Sequence, residues 1–279
     1  MNDSPVHEKY TRLKAILAEL GRVAVAFSGG TDSTLVLRVA HEVLGEDNVI
    51  ALTAVSPSLP TAERQEAEAL ARHIGVRHVL LPGEELANPN YLANTPNRCF
   101  FCKEATYGKF TAYAREHGYR AVVDGSNADD ALDYRPGRRA AQQYGVRSPL
   151  QEAGLTKAEA RLLARELGLP NWDKPSAACL ASRIPYGTPI TAETLRQIEQ
   201  AEAILRHILG ARPLRVRHHG TLARIEVEPT EFARILAQRE EITRQFTALG
   251  YPYVTLDLRG FRSGSMNEVL PAVSASQPD

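Results

Sequence analysis

The chain has 279 residues, 43% of them hydrophobic, which is enough to bury a sizeable core in one large domain plus a smaller one. Its 33 basic and 33 acidic residues cancel to a formal charge of zero, so no global field draws it to nucleic acid or an anionic membrane. The polar start MNDSPVHEKY lacks a secretion signal's apolar run, no stretch approaches the length of a bilayer span, and three cysteines are too few for a disulfide framework, so the expected location is the cytoplasm.

Apolar strands alternate with amphipathic helices over the first two thirds, the pattern of βαβ units on a Rossmann-like parallel sheet, and the predicted class is α/β. Residues 23–27 read as a buried first strand and 32–43 as the following helix, with Leu35, Val36, Val39 and Val43 on one face. A second strand over 49–55 ends in Ser-Pro-Ser-Leu-Pro, and a helix over 61–74 is closed by Gly75. A short strand at 78–81, a helix over 103–117 closed by Gly118, and a strand at 121–124 running into Gly-Ser-Asn follow. Thr156-Lys-Ala-Glu159 is a capping box opening a helix to 167.

Past Gly187 the pattern changes to a long helix (192–209), strands at 214–218 and 223–227 around a turn at Gly220, a helix over 230–246 and a strand at 253–258. These divide the chain into a domain over 1–187, a small α+β domain over 188–270, and a tail over 271–279 read as disordered.

Between the first strand and its helix lies Ala-Phe-Ser28-Gly29-Gly30-Thr31-Asp32-Ser33-Thr. A strand, a glycine turn rich in hydroxyls and a helix converge backbone N–H groups on one point, which makes an anion site; the plainer alternative is a glycine turn with an N-cap. The nucleotide P-loop requires a lysine before its Ser/Thr and the dinucleotide fingerprint requires Gly-x-Gly-x-x-Gly, and neither is present. The stretch resembles the Ser-Gly-Gly-x-Asp-Ser loop of the PP-loop ATP pyrophosphatases. The resemblance implies that the loop grips the β and γ phosphates of ATP while the α phosphate is attacked, releasing pyrophosphate and leaving an adenylate for ammonia, an amine or sulfur. No glutaminase domain precedes the loop, so glutamine-derived ammonia would need a separate partner.

The cysteines discriminate among those nucleophiles. Cys179 lies in a stretch of small residues flanked by prolines, Asp173-Lys-Pro-Ser-Ala-Ala-Cys-Leu-Ala-Ser-Arg-Ile-Pro-Tyr-Gly187. A lone cysteine is by default a small buried hydrophobe, but a loop holding Lys174 and Arg183 favours a thiolate. Cys99-Phe-Phe-Cys102 sits at the start of a helix, whose dipole also favours thiolates and hence metal or redox chemistry. His218 and His219 are read as a solvated turn ahead of a metal pair.

Taken in order, the loop at 28–33, Asn97-Arg-Cys-Phe-Phe-Cys-Lys103, Asp124-Gly-Ser-Asn-Ala-Asp-Asp130, Arg135-Pro-Gly-Arg-Arg139, Pro175-Ser-Ala-Ala-Cys-Leu-Ala-Ser-Arg-Ile-Pro-Tyr-Gly187 and Gly264-Ser-Met-Asn267 resemble the LarE family over nearly the whole chain. Members of that family are ATP-dependent sulfur transferases of nickel-pincer nucleotide synthesis. The resemblance implies a pyridinium mononucleotide substrate with two carboxylates, each adenylated with ATP and Mg²⁺ and then converted to a thiocarboxylate. Two sulfur routes follow from it: a sacrificial Cys179 that is left as dehydroalanine, or a [4Fe-4S] cluster on Cys99, Cys102 and Cys179 whose fourth iron carries an extra sulfide. Three cysteines and a CxxC with no other evident task favour the cluster.

The same resemblance implies that Asp32 organises the metal and phosphates, Lys103 meets phosphate near the α position, and Gly125 and Asn127 shape the nucleotide pocket. Arg183, Arg215 and Arg217 are cationic candidates for the substrate's phosphate, with Ser182 and Glu226 nearby. Arg215 and Arg217 alternate on one strand and so share a face; the alternative is a solvated face. A homo-oligomer, a hexamer built through the C-terminal domain, is implied as well.

Rival readings are an ammonia-dependent NAD synthetase, which has no need of three cysteines in these contexts, and a tRNA 2-thiolation enzyme, against which the neutral charge and the lack of a strongly basic domain argue. A noncatalytic adenine-nucleotide sensor is the binding-module alternative.

Overall fold

The computed structural model describes residues 5–132, 137–175, 178–210, 213–262 and 265–269. The chain divides into two compact units, Met1–Ala178 and Cys179–Asp279, so the Cys179 segment belongs with the second, whereas the sequence reading closes the first domain after Gly187. The predicted tail at 271–279, the Arg135-Pro136 pair and Gly264 lie outside the described residues.

In the first unit the strands β1 (Val23–Ala26), β2 (Val49–Val55), β3 (Arg77–Pro82) and β4 (Ala121–Val123) form a parallel sheet in the order β3-β2-β1-β4. The near-continuous apolar composition of β1 and β2 follows from burial on both faces, whereas the edge strand β3 is largely half-buried or exposed. Val23, Val25, Val49 and Ala51 pack with helices α1 (Pro5–Leu20), α2 (Thr31–Leu44), α3 (Thr61–Ile74) and, after the short α4 (Pro89–Leu92), with the later α7 (Pro149–Glu152) and α8 (Lys157–Glu166). Ala24, Ile50, Leu52 and Val122 face the other way, against α5 (Arg98–Glu116) and α6 (Gly137–Gln143). Strand order reverses between β1 and β4. Open α/β sheets bind ligands outside the carboxyl ends of the strands at such a point, here the ends that carry Ser28 and Asp124.

The predicted strand 49–55 and helix 61–74 stand at those limits, and Thr156 and Glu159 form both hydrogen bonds of the capping box. The other limits in this unit move by a few residues. Helix α5 starts at Arg98 rather than 103, which places both cysteines of the CxxC inside it. Asp124 leaves β4 because its carboxylate turns to accept from Ser126 N–H at 3.0 Å and Ser148 Oγ at 2.8 Å. Helix α1 has no counterpart among the predicted elements, although Leu13 and Leu17 are fully buried with Val6, Tyr10, Ile16 and Leu20 packed around them.

The second unit packs α9 (Ala192–Leu209) on a sheet of β5 (Leu214–His219), β6 (Leu222–Val227) and β7 (Tyr253–Leu256). Strands β5 and β6 form the expected antiparallel hairpin, turned by Gly220 at φ +65°, and β7 adds parallel to β6. The helix predicted over 230–246 is divided into a 3₁₀ turn at Pro229–Glu231, α10 (Phe232–Ala237) and α11 (Arg239–Ala248). The strand predicted to reach 258 stops at Leu256, because Asp257 folds back to accept from Arg259 N–H at 2.9 Å.

Candidate active site

At the end of β1, Gly29 takes φ +71°, and a Cβ placed there would come within 3.0 Å of Ala67 on α3. Only glycine fits both demands. Ser33 Oγ lies 3.1 Å from the Gly30 carbonyl and 3.1 Å from Ser28 Oγ, so Ser33 donates to Gly30 and Ser28 donates to Ser33. No side chain caps α2 at Gly30, and the first N–H groups of the helix, those of Thr31, Asp32 and Ser33, lack intrahelical acceptors by geometry. Together with the helix dipole they form an anion cradle.

Asp32 sits in the first turn of α2. Its Oδ2 accepts from Lys157 Nζ at 2.6 Å and from Asn127 Nδ2 at 3.4 Å, whereas its Oδ1 is buried with no hydrogen-bond partner. A buried carboxylate oxygen left unmet beside an anion cradle fits a hard divalent cation such as Mg²⁺. Asn127 is fixed by its own loop, its N–H donating to Asp130 at 2.9 Å and its Oδ1 accepting from Asp129 N–H at 3.0 Å. Lys157, whose N–H donates to Asp129 at 2.8 Å, carries no sequence signal of its own, because nothing local ties it to a residue 125 positions away. Gly125 lets this loop lie against α2, since a Cβ there would stand 2.6 Å from Ser33 N.

Lys103 is exposed on α5, its Nζ 5.1 Å from the Tyr107 ring, and Tyr107 donates to Asp124 at 2.8 Å. Tyr107 first, then Cys102 and Asp124, hold the lysine's pKa above its ordinary value, so it is cationic at neutral pH. Cys99 is exposed and Cys102 half-buried one turn along α5, and no disulfide joins the described cysteines. Two thiols three residues apart on one helix share a face, a donor pair suited to a thiophilic metal. Among the described residues no group of three or more His, Cys, Asp or Glu gathers to hold a metal ion.

In the second unit Cys179 is exposed before a 3₁₀ turn, Leu180–Arg183, and its carbonyl accepts from Ser182 N–H at 3.0 Å and Arg183 Nη1 at 3.3 Å. Arg183 also reaches Ser182 Oγ at 2.9 Å and clasps the buried Glu202 through Nε at 2.8 Å and Nη2 at 3.2 Å. Arg217 is fully buried and clasps Glu226 at 2.9 and 2.8 Å, while also donating to the Ser182 carbonyl and to Ser265 Oγ, each at 2.7 Å. Arg217 therefore anchors the cysteine turn to the sheet, and Arg183 ties it to α9. Lys174, expected to favour a Cys179 thiolate, is held instead by Glu63 at 2.6 Å and Glu66 at 2.8 Å.

Arg215 differs. It is buried, stacks on Phe261 at 4.8 Å and donates to the Arg262 carbonyl at 3.2 Å, and among the described residues no carboxylate lies within ion-pair distance of it. Burial first, then Arg217 and Arg183, lower its pKa to about 10, which leaves it charged at neutral pH. His218 corrects the reading of a solvated turn. It is buried, its Nδ1 lies 2.9 Å from Tyr251 Oη, and burial lowers its pKa, whereas His219 alone is exposed.

Residues 8–89 match the NAD synthase family. A Synechocystis sp. protein of unassigned function is 46% identical over 267 residues, covering 95% of this chain and 99% of that one. Pyridinium-3,5-bisthiocarboxylic acid mononucleotide synthase of Lactiplantibacillus plantarum is 43% identical over 262 residues, covering 94% of this chain and 95% of the synthase. The chain belongs to the LarE family. A protein of unassigned function from Methanocaldococcus jannaschii is 28% identical over 243 residues, 87% of this chain and 91% of that one. Membership in LarE makes the chain an enzyme of the PP-loop ATP pyrophosphatase superfamily, an ATP-dependent sulfurtransferase that uses Mg²⁺. Among the described residues no helix is long and apolar enough to cross a membrane.

Proposed function

We propose that this LarE enzyme adenylates the two carboxylates of pyridinium-3,5-biscarboxylic acid mononucleotide in turn and converts each to a thiocarboxylate for nickel-pincer cofactor synthesis. The observation that carries the reading is the anion cradle of residues 28–33 with the unmet Asp32 Oδ1 at its rim, which fits Mg²⁺ and a polyphosphate. Ser28, Gly29, Gly30, Thr31 and Ser33 hold the β and γ phosphates, Lys103 and Lys157 supply positive charge, and Gly125 and Asn127 border the nucleotide. A substrate carboxylate oxygen attacks the α phosphorus, pyrophosphate leaves, and the mixed anhydride gives up AMP when sulfur attacks its carbonyl carbon.

Cys99, Cys102 and Cys179 would hold a [4Fe-4S] cluster, whose fourth iron, free of a protein ligand, supplies bound sulfide as the sulfur source. In the second unit Arg215 takes the substrate's phosphate, while Ser182, Arg183, Arg217 and Glu226 form the frame around it. Six copies assemble through the C-terminal unit.

The reading is tested by incubating anaerobically purified protein with ATP, Mg²⁺, the biscarboxylate mononucleotide and both sulfide and ammonium, following pyrophosphate and the product's mass. An oxygen-for-sulfur exchange is the expected result. An amide formed with ammonia would overturn it in favour of NAD-synthetase-like chemistry, and no pyrophosphate at all would leave only a nucleotide sensor. A separate expectation concerns Arg215→Gln, which should raise KM for the mononucleotide by about tenfold, the loss of one charged contact, and leave KM for ATP unchanged. Steady-state kinetics with each substrate varied in turn check it, and equal loss for both would place the phosphate elsewhere.

A further inference from the structure

The turn that follows α8 returns to the phosphate loop through one residue, Asn171. Asn171 is only 5% exposed, and its Nδ2 donates to the Gly29 carbonyl and to Thr34 Oγ1, both at 3.0 Å. Thr34 passes its own hydrogen to the Gly30 carbonyl at 2.8 Å, and Thr31 Oγ1 donates to the Asn171 carbonyl at 2.8 Å. The amide nitrogen must be the atom facing Gly29, because a backbone carbonyl only accepts. The other end of the amide, Oδ1, is buried without a hydrogen-bond partner. The unmet acceptor costs stability, and the two donors aimed at the loop are what asparagine supplies in return, since an apolar residue here would leave the Gly29 carbonyl without this donor.

The consequence lies in the peptide planes. A trans peptide carries its C=O and N–H on opposite edges, so drawing the Gly29 carbonyl toward Asn171 turns the Gly30 N–H the other way, onto the face where it donates to Ser28 Oγ of the same loop at 3.4 Å. Drawing the Gly30 carbonyl toward Ser33 and Thr34 turns the Thr31 N–H out past the helix N-terminus in the same manner.

We propose that Asn171 is a positioning residue of the phosphate loop, its amide aiming the Gly30 and Thr31 N–H groups at the β and γ phosphates of ATP. The proposal rests on the reading that this loop grips those phosphates. It makes Asn171 specific for polyphosphate: AMP, which lacks both groups, gains nothing from it.

Calorimetric titration of the full chain with inorganic pyrophosphate, a non-hydrolysable ATP analogue and AMP separates the possibilities. Asn171→Ala and Asn171→Asp should weaken pyrophosphate and the analogue by on the order of tenfold or more and leave AMP unchanged. Aspartate should be the worse of the two, since it sets an anion facing two acceptors beside the phosphates. Asn171→Ser, which keeps one donor, should recover part of the loss, and Thr34→Val should reproduce part of it from the other side of the relay. If Asn171→Asp does not fold, the alanine and serine variants carry the same comparison. Unchanged pyrophosphate affinity in a folded Asn171→Ala, or a parallel loss of AMP, overturns the role of Asn171 while the ATP reading stands. A parent protein that binds neither pyrophosphate nor the analogue overturns both.

Discussion

Cys179→Ala should give a folded protein that still releases pyrophosphate yet forms no detectable thiocarboxylate. The fold is insensitive because the thiol is exposed and it is the Cys179 carbonyl that holds the turn, accepting from Ser182 N–H at 3.0 Å and from Arg183 at 3.3 Å. Adenylation is insensitive because it precedes sulfur attack and is the step assigned to the phosphate loop, Asp32 and Lys157. The companion variant Cys99→Ala separates the two sulfur sources. If Cys99, Cys102 and Cys179 hold a cluster, losing one thiolate should remove iron, visible absorbance and sulfur transfer together. If Cys179 is itself the donor, Cys99→Ala completes one transfer. In that case the Cys179 thiolate displaces AMP, the Cα proton is lost, and the Cβ–S bond breaks, leaving dehydroalanine at 179 and the sulfur on the product. Iron and sulfide analysis, with intact mass after turnover, reads both. Dehydroalanine at 179 in reconstituted protein would defeat the cluster reading, and a fully active Cys179→Ala would remove the cysteine from the chemistry altogether.

Asp32→Ala should lower ATP-to-pyrophosphate turnover by about 10²–10³-fold, the range for removing one preorganised group that meets developing charge. Its effect on stability should be small. Lys157 loses its partner at 2.6 Å, but with its side chain 28% exposed it remains hydrated, so a change within about 1 kcal/mol is expected. Asp32→Asn distinguishes charge from shape: it keeps the volume and loses the anion that a divalent cation requires, so it should be nearly as inactive as alanine. Pyrophosphate release measured alongside thermal unfolding decides the matter, and a folded Asp32→Ala with full turnover would sink the assignment of this loop.

How much of this was legible in the sequence depends on how local each signal is. Strands β1 and β2, helix α3 and the Thr156–Glu159 box stand where apolar runs, glycine stops and cap residues put them, because each is decided within a few residues of itself. The loop at 28–33 was equally plain, since its glycines, hydroxyls and carboxylate are contiguous. Helix α1 carried a readable period in Val6, Tyr10, Leu13, Leu17 and Leu20. The division of residues 230–246 at Gln238 carried none, as neither glycine nor proline stands there.

The sequence by itself thus determined the α/β order, the phosphate loop and the candidate cysteines. Only the tertiary structure decided which charges are available to a ligand. Arg215 and Arg217 look alike in the chain and share a face of β5, yet Glu226 is claimed by Arg217, which is fully buried, and Arg215 is left with a carbonyl and an aromatic ring. Lys157 meets Asp32 across 125 positions and Asn171 meets Gly29 across 142. Such pairings lie beyond any local signal because they follow from how strands and loops are brought together, and a buried charge takes whichever counter-charge that arrangement places within hydrogen-bond reach.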